Sequence, residues 1–347
     1  MSMKVLRRPR RVLACAAAAC LCLGQALSAR AGVQLSRVGV TLLKKNSGRV
    51  DQVVVVPDGG YILRDSDYAN EATQVLELYD AYGYLCGQFG SFGRGPGQYF
   101  RLKSVSLSDD QTVFVADVIG RLSRFHMSGR LIETKLIQRP GYQVDGLALD
   151  EVRGAFYLSG CLPKQIYLNY GCRLVHQYDL KDGSYRQSFL ETDQEVSEKN
   201  LLSLEDHQID ADGRGRIYAI DAPIFKVLRL DPATGEVRTL VIQSRLAAAP
   251  QVIPPGLQNS RDAYENAYLL DRVLAAGGWV IVSMRKPRKE GFLLHVFDGE
   301  GKQVASDLQS PGQLVGKTPG GALLFATRTD GGYELAEYTL SGGGRGH

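Results

Sequence analysis

One unit recurs six times along this chain: an apolar strand, a tight turn rich in Gly and Asp, and a second apolar strand. Internal repetition constrains architecture more than any single element does. The first copy runs through residues 53–56, the turn Pro57-Asp58-Gly59-Gly60 and residues 61–63. The second joins 105–107 to 113–115 through Ser108-Asp109-Asp110, and the third joins 147–149 to 156–158. The fourth runs from Ile209 through Asp210-Ala211-Asp212-Gly213 to 217–220. The fifth joins 273–274 to 279–282 across Gly277-Gly278, and the sixth joins 314–315 to 323–325 across Thr318-Pro319-Gly320-Gly321. Five copies lead into another hairpin turn of the same chemistry, at 78–83, 125–129, 178–183, 230–235 and 296–301. Asp and Gly supply the backbone reversals that two-strand turns need.

Four strands per unit, with no helical periodicity between them, describe the blades of an all-β, six-bladed β-propeller. The last unit is short of a strand. Residues 335–340 supply its third, after which Ser341-Gly342-Gly343-Gly344 passes into a Gly-rich tail at 342–347 that is expected to be flexible. Residues 33–43, ahead of the first unit, are the expected donor of the fourth. Closing the ring this way removes exposed sheet edges, and makes residues 32–341 a single propeller.

Residues 1–31 stand apart from this pattern and carry the marks of a secretory signal. Arg7, Arg8, Arg10 and Arg11 form a basic stretch, residues 12–27 a mostly apolar one, and Ala29-Arg30-Ala31 a small-x-small cleavage site. The apolar run is too short for a membrane span and is broken by Gly24 and Gln25. The expected destination is the periplasm or the exterior. The whole chain has a formal net charge of +4, but the leader holds six basic and no acidic residues. What remains is 35 Lys and Arg against 37 Asp and Glu, a net −2 that gives no support to a nucleic-acid partner. No later stretch is long and apolar enough to span a bilayer.

Of six cysteines, Cys86, Cys161 and Cys172 follow the leader. In an oxidising compartment Cys161 and Cys172 are the natural pair, closing a short loop that a disulfide would stabilise by roughly 2 to 3 kcal/mol. Two buried free thiols are the alternative.

The segment Gln88-Phe89-Gly90-Ser91-Phe92-Gly93-Arg94-Gly95-Pro96-Gly97-Gln98-Tyr99-Phe100, with Val113-Phe114-Val115-Ala116-Asp117 and Arg121-Leu122-Ser123-Arg124-Phe125 after it, resembles an NHL repeat. Over the other units the likeness is one of rhythm. The resemblance implies a six-bladed NHL-like propeller, and with it binding at the face where blade-to-blade connections and second-to-third-strand loops emerge.

Three connections expected on that face are oversized: 64–74, 161–172 and 242–271. Charged residues at strand ends there are the candidate ligand contacts. Arg64, Asp65, Asp117, Asp221, Arg285 and Arg328 end or follow second strands; Lys103, Asp145 and His207 begin first strands. Mixed charge around a narrow mouth suits a polar small molecule, a glycan or a protein surface. Each acid could equally cap backbone N–H groups or pair with a neighbouring Arg. The run Arg285-Lys286-Pro287-Arg288-Lys289 could draw an anionic glycan or lipid headgroup, or be a solvated loop.

Enzyme motifs are sparse. There is no Gly-x-Ser-x-Gly elbow and no Cys-x-x-Cys. Gly316-Lys317-Thr318 lacks the upstream Gly of a phosphate loop, and Pro319 blocks the helix that should follow. Asp145-Gly146-Leu147-Ala148-Leu149-Asp150 is similar to a segment of the calcium-dependent lactonases of the SMP-30/gluconolactonase type, and implies Asp145 as a metal ligand. Where those enzymes would have Asn, this chain has Lys103-Ser104, and a lysine competes with a divalent cation. The expected function is therefore an exported binding or scaffold module without a cofactor, with a calcium-dependent hydrolase or a lyase at the channel mouth as the alternative.

Overall fold

The computed structural model describes residues 33–44, 49–65, 75–137, 143–161, 173–191, 207–221, 224–247 and 265–342. Residues 1–31, expected to be a secretory signal, Cys172, and residues 343–347 of the expected tail lie outside the described residues. Six four-stranded antiparallel sheets follow one another along the chain. Blade 1 comprises β2 (Gln52–Val55), β3 (Tyr61–Arg64), β4 (Leu76–Tyr79) and β5 (Leu85–Phe89). After a two-residue parallel pair, β6 (Ser91–Phe92) with β7 (Gln98–Tyr99), blade 2 comprises β8 (Leu102–Leu107), β9 (Thr112–Asp117), β10 (Arg121–His126) and β11 (Leu131–Leu136). Blade 3 is β12 (Gln143–Asp150), β13 (Ala155–Cys161), β14 (Arg173–Asp179) and β15 (Tyr185–Glu191). Blade 4 is β16 (Ile209–Ala211), β17 (Ile217–Asp221), β18 (Lys226–Asp231) and β19 (Glu236–Val241). Blade 5 is β20 (Leu269–Ala276), β21 (Trp279–Arg285), β22 (Phe292–Phe297) and β23 (Gln303–Gln309).

Blade 6 is closed by the front of the described chain. Its own strands are β24 (Gln313–Lys317), β25 (Leu323–Thr329) and β26 (Gly332–Ser341), and β1 (Gln34–Leu43) completes it. The β1–β26 pairing is antiparallel, from Gln34 opposite Ser341 to Leu43 opposite Tyr333, with one bulge between Arg37 and Gly39. The ring closes as the sequence leads one to expect. The strand from residue 335 is longer than the pattern suggests, because Gly332 and Tyr333 already pair with Thr329 and Arg328 of β25.

The apolar residues sit between blades, not within them. A sheet of four strands has two faces and no means of covering either. Val56, Ile62, Leu76 and Phe89 of blade 1 pack on Val105, Val113 and Phe125 of blade 2. Phe114 and Ala116 of blade 2 meet Phe156, Leu158 and Tyr178 of blade 3, with the Phe156 and Tyr178 rings stacked at 5.1 Å. Clusters of the same kind fill the remaining seams, including the one between blades 6 and 1, where Val315 and Leu324 meet Val53 and Tyr61. At about 1.5 to 3 kcal/mol for each fully buried aliphatic or aromatic side chain, these seams are what hold the wheel together.

Inner strands approach one another closely where the ring is narrowest. A side chain at Gly316 would run into the Val53 carbonyl of blade 1 at 2.2 Å, and one at Gly146 would press on Ile209 N of blade 4 at 3.1 Å as well as on Ser159 Oγ of its own blade at 2.7 Å. Both glycines are therefore required by space. Side chains then cross-link the inner strands: the Gln52 amide donates to the Val105 carbonyl at 2.8 Å and accepts from the Val105 N–H at 3.1 Å, as a strand residue would.

The two ends of the wheel differ. On one, first-to-second and third-to-fourth strand turns such as 56–60, 108–111, 212–216 and 298–302 never exceed five residues. On the other, the connections 65–75, 90–101, 162–172, 192–208 and 242–268 all begin and end. Among the described residues no helix is long and apolar enough to cross a membrane.

Candidate functional site

The long-connection end of the channel is built by the first residues of the inner strands. In four of them a β-bulge interrupts pairing near the start: between Leu102 and Ser104, Val144 and Gly146, Leu270 and Arg272, and Leu314 and Gly316. The extra residues are Lys103, Asp145, Asp271 and the apolar Val315. A bulge re-aims the side chain it inserts, so three blades place a charged residue at the same level of the mouth.

Lys103 and Asp145 meet there. Lys103 Nζ lies 3.2 Å from Asp145 Oδ1, and His207 Nδ1 lies 3.3 Å from Asp145 Oδ2. His207 stands just ahead of β16 and is 1% exposed; its carbonyl accepts from the Ser159 hydroxyl. Gln208 Nε2 donates to the Asp145 carbonyl at 3.1 Å. Burial alone would raise the proton affinity of Asp145, but the bond from His207 and the Lys103 ammonium outweigh it and keep the carboxyl below its usual range. Blades 2, 3 and 4 are thus joined at the mouth by one ionised carboxylate.

A second hub sits across the channel. Arg64, at the end of β3, is buried and pairs with the Asp51 carboxylate, while its Nη1 donates to the Leu102 carbonyl at 3.4 Å. Gln313, which opens β24, donates to Asp51 Oδ1 at 3.3 Å, and Arg272 Nη2 donates to the Asp51 carbonyl at 2.7 Å. Burial would raise the Asp51 pKa; Arg64, Arg272 and Arg49, with the Gln313 amide, bring it down to about 2. Asp65 is buried next to Arg64, and its Oδ1 accepts the Arg49 N–H at 3.1 Å.

Asp117 has a different setting from the other candidates. Its carboxylate accepts from the N–H groups of Phe100, Ile119 and Arg121, and from Arg121 Nε at 2.7 Å. Arg121 also reaches the Gly93 carbonyl at 2.7 Å, so the pair holds the Gly-rich connection 90–101 onto blade 2. Asp221 ends β17 at the same end of the wheel, and Arg285 and Arg328 lie at the ends of β21 and β25 on its rim. The run 285–289 forms the β21–β22 loop on this end, with a short 3-10 turn at Pro287–Lys289. Cys161 ends β13, and the pairing expected with Cys172 lies outside the described residues; Cys86 is an exposed free thiol on β5.

Asp51, Arg272 and Gln313 were not among the residues singled out from the sequence. Asp51 stands just before β2 and Gln313 opens β24, positions a strand-start reading could have found, whereas Arg272 lies inside β20, one residue past its bulge. The opposite, tight-turn end of the channel also holds a cross-blade contact. Lys317 Nζ donates to Asp210 Oδ2 at 2.5 Å and to the carbonyls of Ala275 and Ala211 at 2.9 and 3.2 Å, tying blades 4, 5 and 6. Among the described residues, no group of three or more His, Cys, Asp or Glu side chains is placed to hold a metal ion.

No family model matches this chain, and no curated protein matches it in sequence. Solved structures match it in shape. An inferred exported protein from Bacteroides fragilis superposes with a TM-score of 0.55 at 11% identity, over 89% of this chain and 95% of that one. The calcium-binding protein regucalcin from Agrobacterium tumefaciens gives 0.54 at 14% identity, over 87% and 95%. Virginiamycin B lyase from Staphylococcus aureus gives 0.51 at 11% identity, over 89% and 100%. The likeness is one of fold. Each of the three is matched over 95% or more of its own length, so the likeness extends over the whole propeller.

Proposed function

We propose that this chain is an exported, NHL-like propeller that binds a polar small molecule, a glycan or a protein partner at the long-connection end of its channel. The unequal distribution of chain length between the two ends carries this reading. A scaffold keeps its fold on regular strands and its recognition on the loops they position, and here every connection of eleven residues or more starts and finishes around the charged mouth. The leader at 1–31 supports export, as does the exported character inferred for one structural neighbour. A disulfide between Cys161 and Cys172 would fix the base of one connection at this end.

Binding is favoured over metal-dependent hydrolysis by the state of Asp145. Its two oxygens are engaged by Lys103 and His207, so a divalent cation would have to displace an ammonium group already paired with it. Among candidate chemistries this leaves preorganised hydrogen bonds and charge as the mouth's means of recognition.

A panel of soluble glycans and polar metabolites, screened by the melting temperature of the mature protein, tests the reading. A true ligand raises the melting temperature of the wild type and has no effect on Gln313→Trp, whose indole would fill the mouth. Ligands whose effect persists in Gln313→Trp would place recognition elsewhere and overturn the proposal.

A further inference from the structure

Among the described residues Arg272 makes no direct salt bridge at the mouth, although its charge helps to depress the nearby Asp51 carboxylate. It is 6% exposed, its Nη2 donates to a backbone carbonyl of Asp51, and its buried Nε has no hydrogen-bond partner. The Asp51 carboxylate itself is engaged by Arg64 and Gln313. A guanidinium stays charged at any pH a protein survives, and a buried donor left without an acceptor is costly. Three guanidiniums, Arg49, Arg64 and Arg272, stand near enough to Asp51 to depress it, and the carboxylates of Asp51 and Asp65 lie among them, with Asp271 adjoining Arg272 in the chain.

A second unpartnered group lies beside it. Ser283 is directly opposite Arg272 in the β20–β21 pairing, is fully buried, and its Oγ has no hydrogen-bond partner. Cross-strand partners point to the same face of a sheet. That face is turned to blade 6, because the next pair on it, Leu274 and Ile281, packs against Leu314 and Phe325. Buried polar groups left without partners are rare in folded proteins, and two side by side mark a place where something polar belongs.

We propose that the channel mouth binds an oxyanion of its ligand at the junction of blades 5, 6 and 1, with Arg272 as the principal donor and Ser283 Oγ as the second. This deepens the mouth-binding reading and rests on it. The planar fork of a guanidinium fits two oxygens of a carboxylate or a phosphate. Both sources are open to the same geometry: the carboxylate of an acidic sugar, or a phosphate group.

Titration calorimetry of the mature protein in a zwitterionic buffer tests the assignment, with inorganic phosphate, galacturonate and neutral galactose as probes. Wild type is expected to bind one of the two anions saturably and not galactose, and the anion preferred identifies the source. Arg272→Gln is expected to weaken that binding at least about tenfold. Should Arg272→Gln fail to fold, Arg272→Lys and Ser283→Ala decide. The first keeps the charge and loses the fork, the second removes a hydroxyl that has no partner to lose; both should fold, Ser283→Ala melting as wild type, and both should bind severalfold more weakly. Absence of anion binding by wild type, or unchanged binding in both of these variants, overturns the inference. Galactose or another neutral probe binding at the mouth, blocked by Gln313→Trp while neither anion binds, would overturn it and leave the mouth-binding reading standing.

Discussion

Lys103 and Asp145 occupy the same position in successive blades, the extra residue of the bulge that opens each inner strand, and their side chains meet at 3.2 Å. The side chains of the pair are 17% and 7% exposed, so it is sheltered without being sealed. Removing one partner leaves the other's charge to face burial alone. Lys103→Met is therefore expected to lower the free energy of unfolding in urea by about 2 kcal/mol, with Lys103→Met/Asp145→Asn recovering part of the loss. Equal stability of wild type and Lys103→Met would show that the ion pair contributes nothing.

Asp51 gives the protein an acid-sensitive hub. Its folded-state pKa of about 2 lies below the unfolded value of 3.8. The unfolded chain therefore takes up the proton first as pH falls, and the stabilisation, full above about pH 4, is lost on the way to pH 2. The depression corresponds to about 2 kcal/mol. Asp51→Asn should lower stability at neutral pH and flatten the pH dependence below 4; a slope unchanged from wild type would remove Asp51 from the account.

His295 acts at milder pH and by another route. Burial pushes its pKa down to about 4 from 6.5, against a weaker opposing pull from Asp307. The folded protein keeps the ring neutral while the unfolded chain accepts a proton, so stability declines as pH drops below about 6.5 and continues to decline toward 4, by up to about 3 kcal/mol. Between pH 6.5 and 5 few carboxylates titrate, and in that window denaturant midpoints of His295→Gln should lose the slope that wild type shows. A slope of the same size in the variant would trace it to another group.

Lys317 is expected to resist conservative replacement. Its ammonium donates to one carboxylate and two backbone carbonyls from blades 4 and 5, a three-acceptor site suited to a compact cation and not to a planar guanidinium. Lys317→Met should destabilise by about 2 to 3 kcal/mol, and Lys317→Arg should not restore wild-type stability. Calorimetric melting of the three proteins distinguishes this from a site where charge alone matters.

The wheel could be read in the chain because its signals are local. Alternating apolar residues and Gly-Asp turns such as Pro57-Asp58-Gly59-Gly60 specify hairpins wherever they stand, and a sixth unit lacking one strand leaves residues 33–43 as the available donor. Candidate site residues were legible as positions more than as roles. Arg64, Lys103, Asp145 and His207 do gather at the mouth, whereas Asp117, at the end of a second strand, is spent on Arg121 and its own turn. The strand-end position marks both Asp117 and Asp145 as candidates, and what Asp145 does depends on side chains that arrive from other blades.

Sequence by itself determined the six hairpin pairs, the antiparallel order within each blade and the source of the closing strand, since each depends on residues close in the chain or on a plain shortage of one strand. Tertiary structure decided the bulges that aim Lys103 and Asp145 at each other, the convergence of Arg64, Arg272 and Gln313 on Asp51, and the unpartnered Arg272 Nε and Ser283 Oγ. Those contacts join residues up to 262 positions apart. They exist because closing a ring brings the starts of all the inner strands to one narrow mouth, where each charge takes its value from neighbours on other blades.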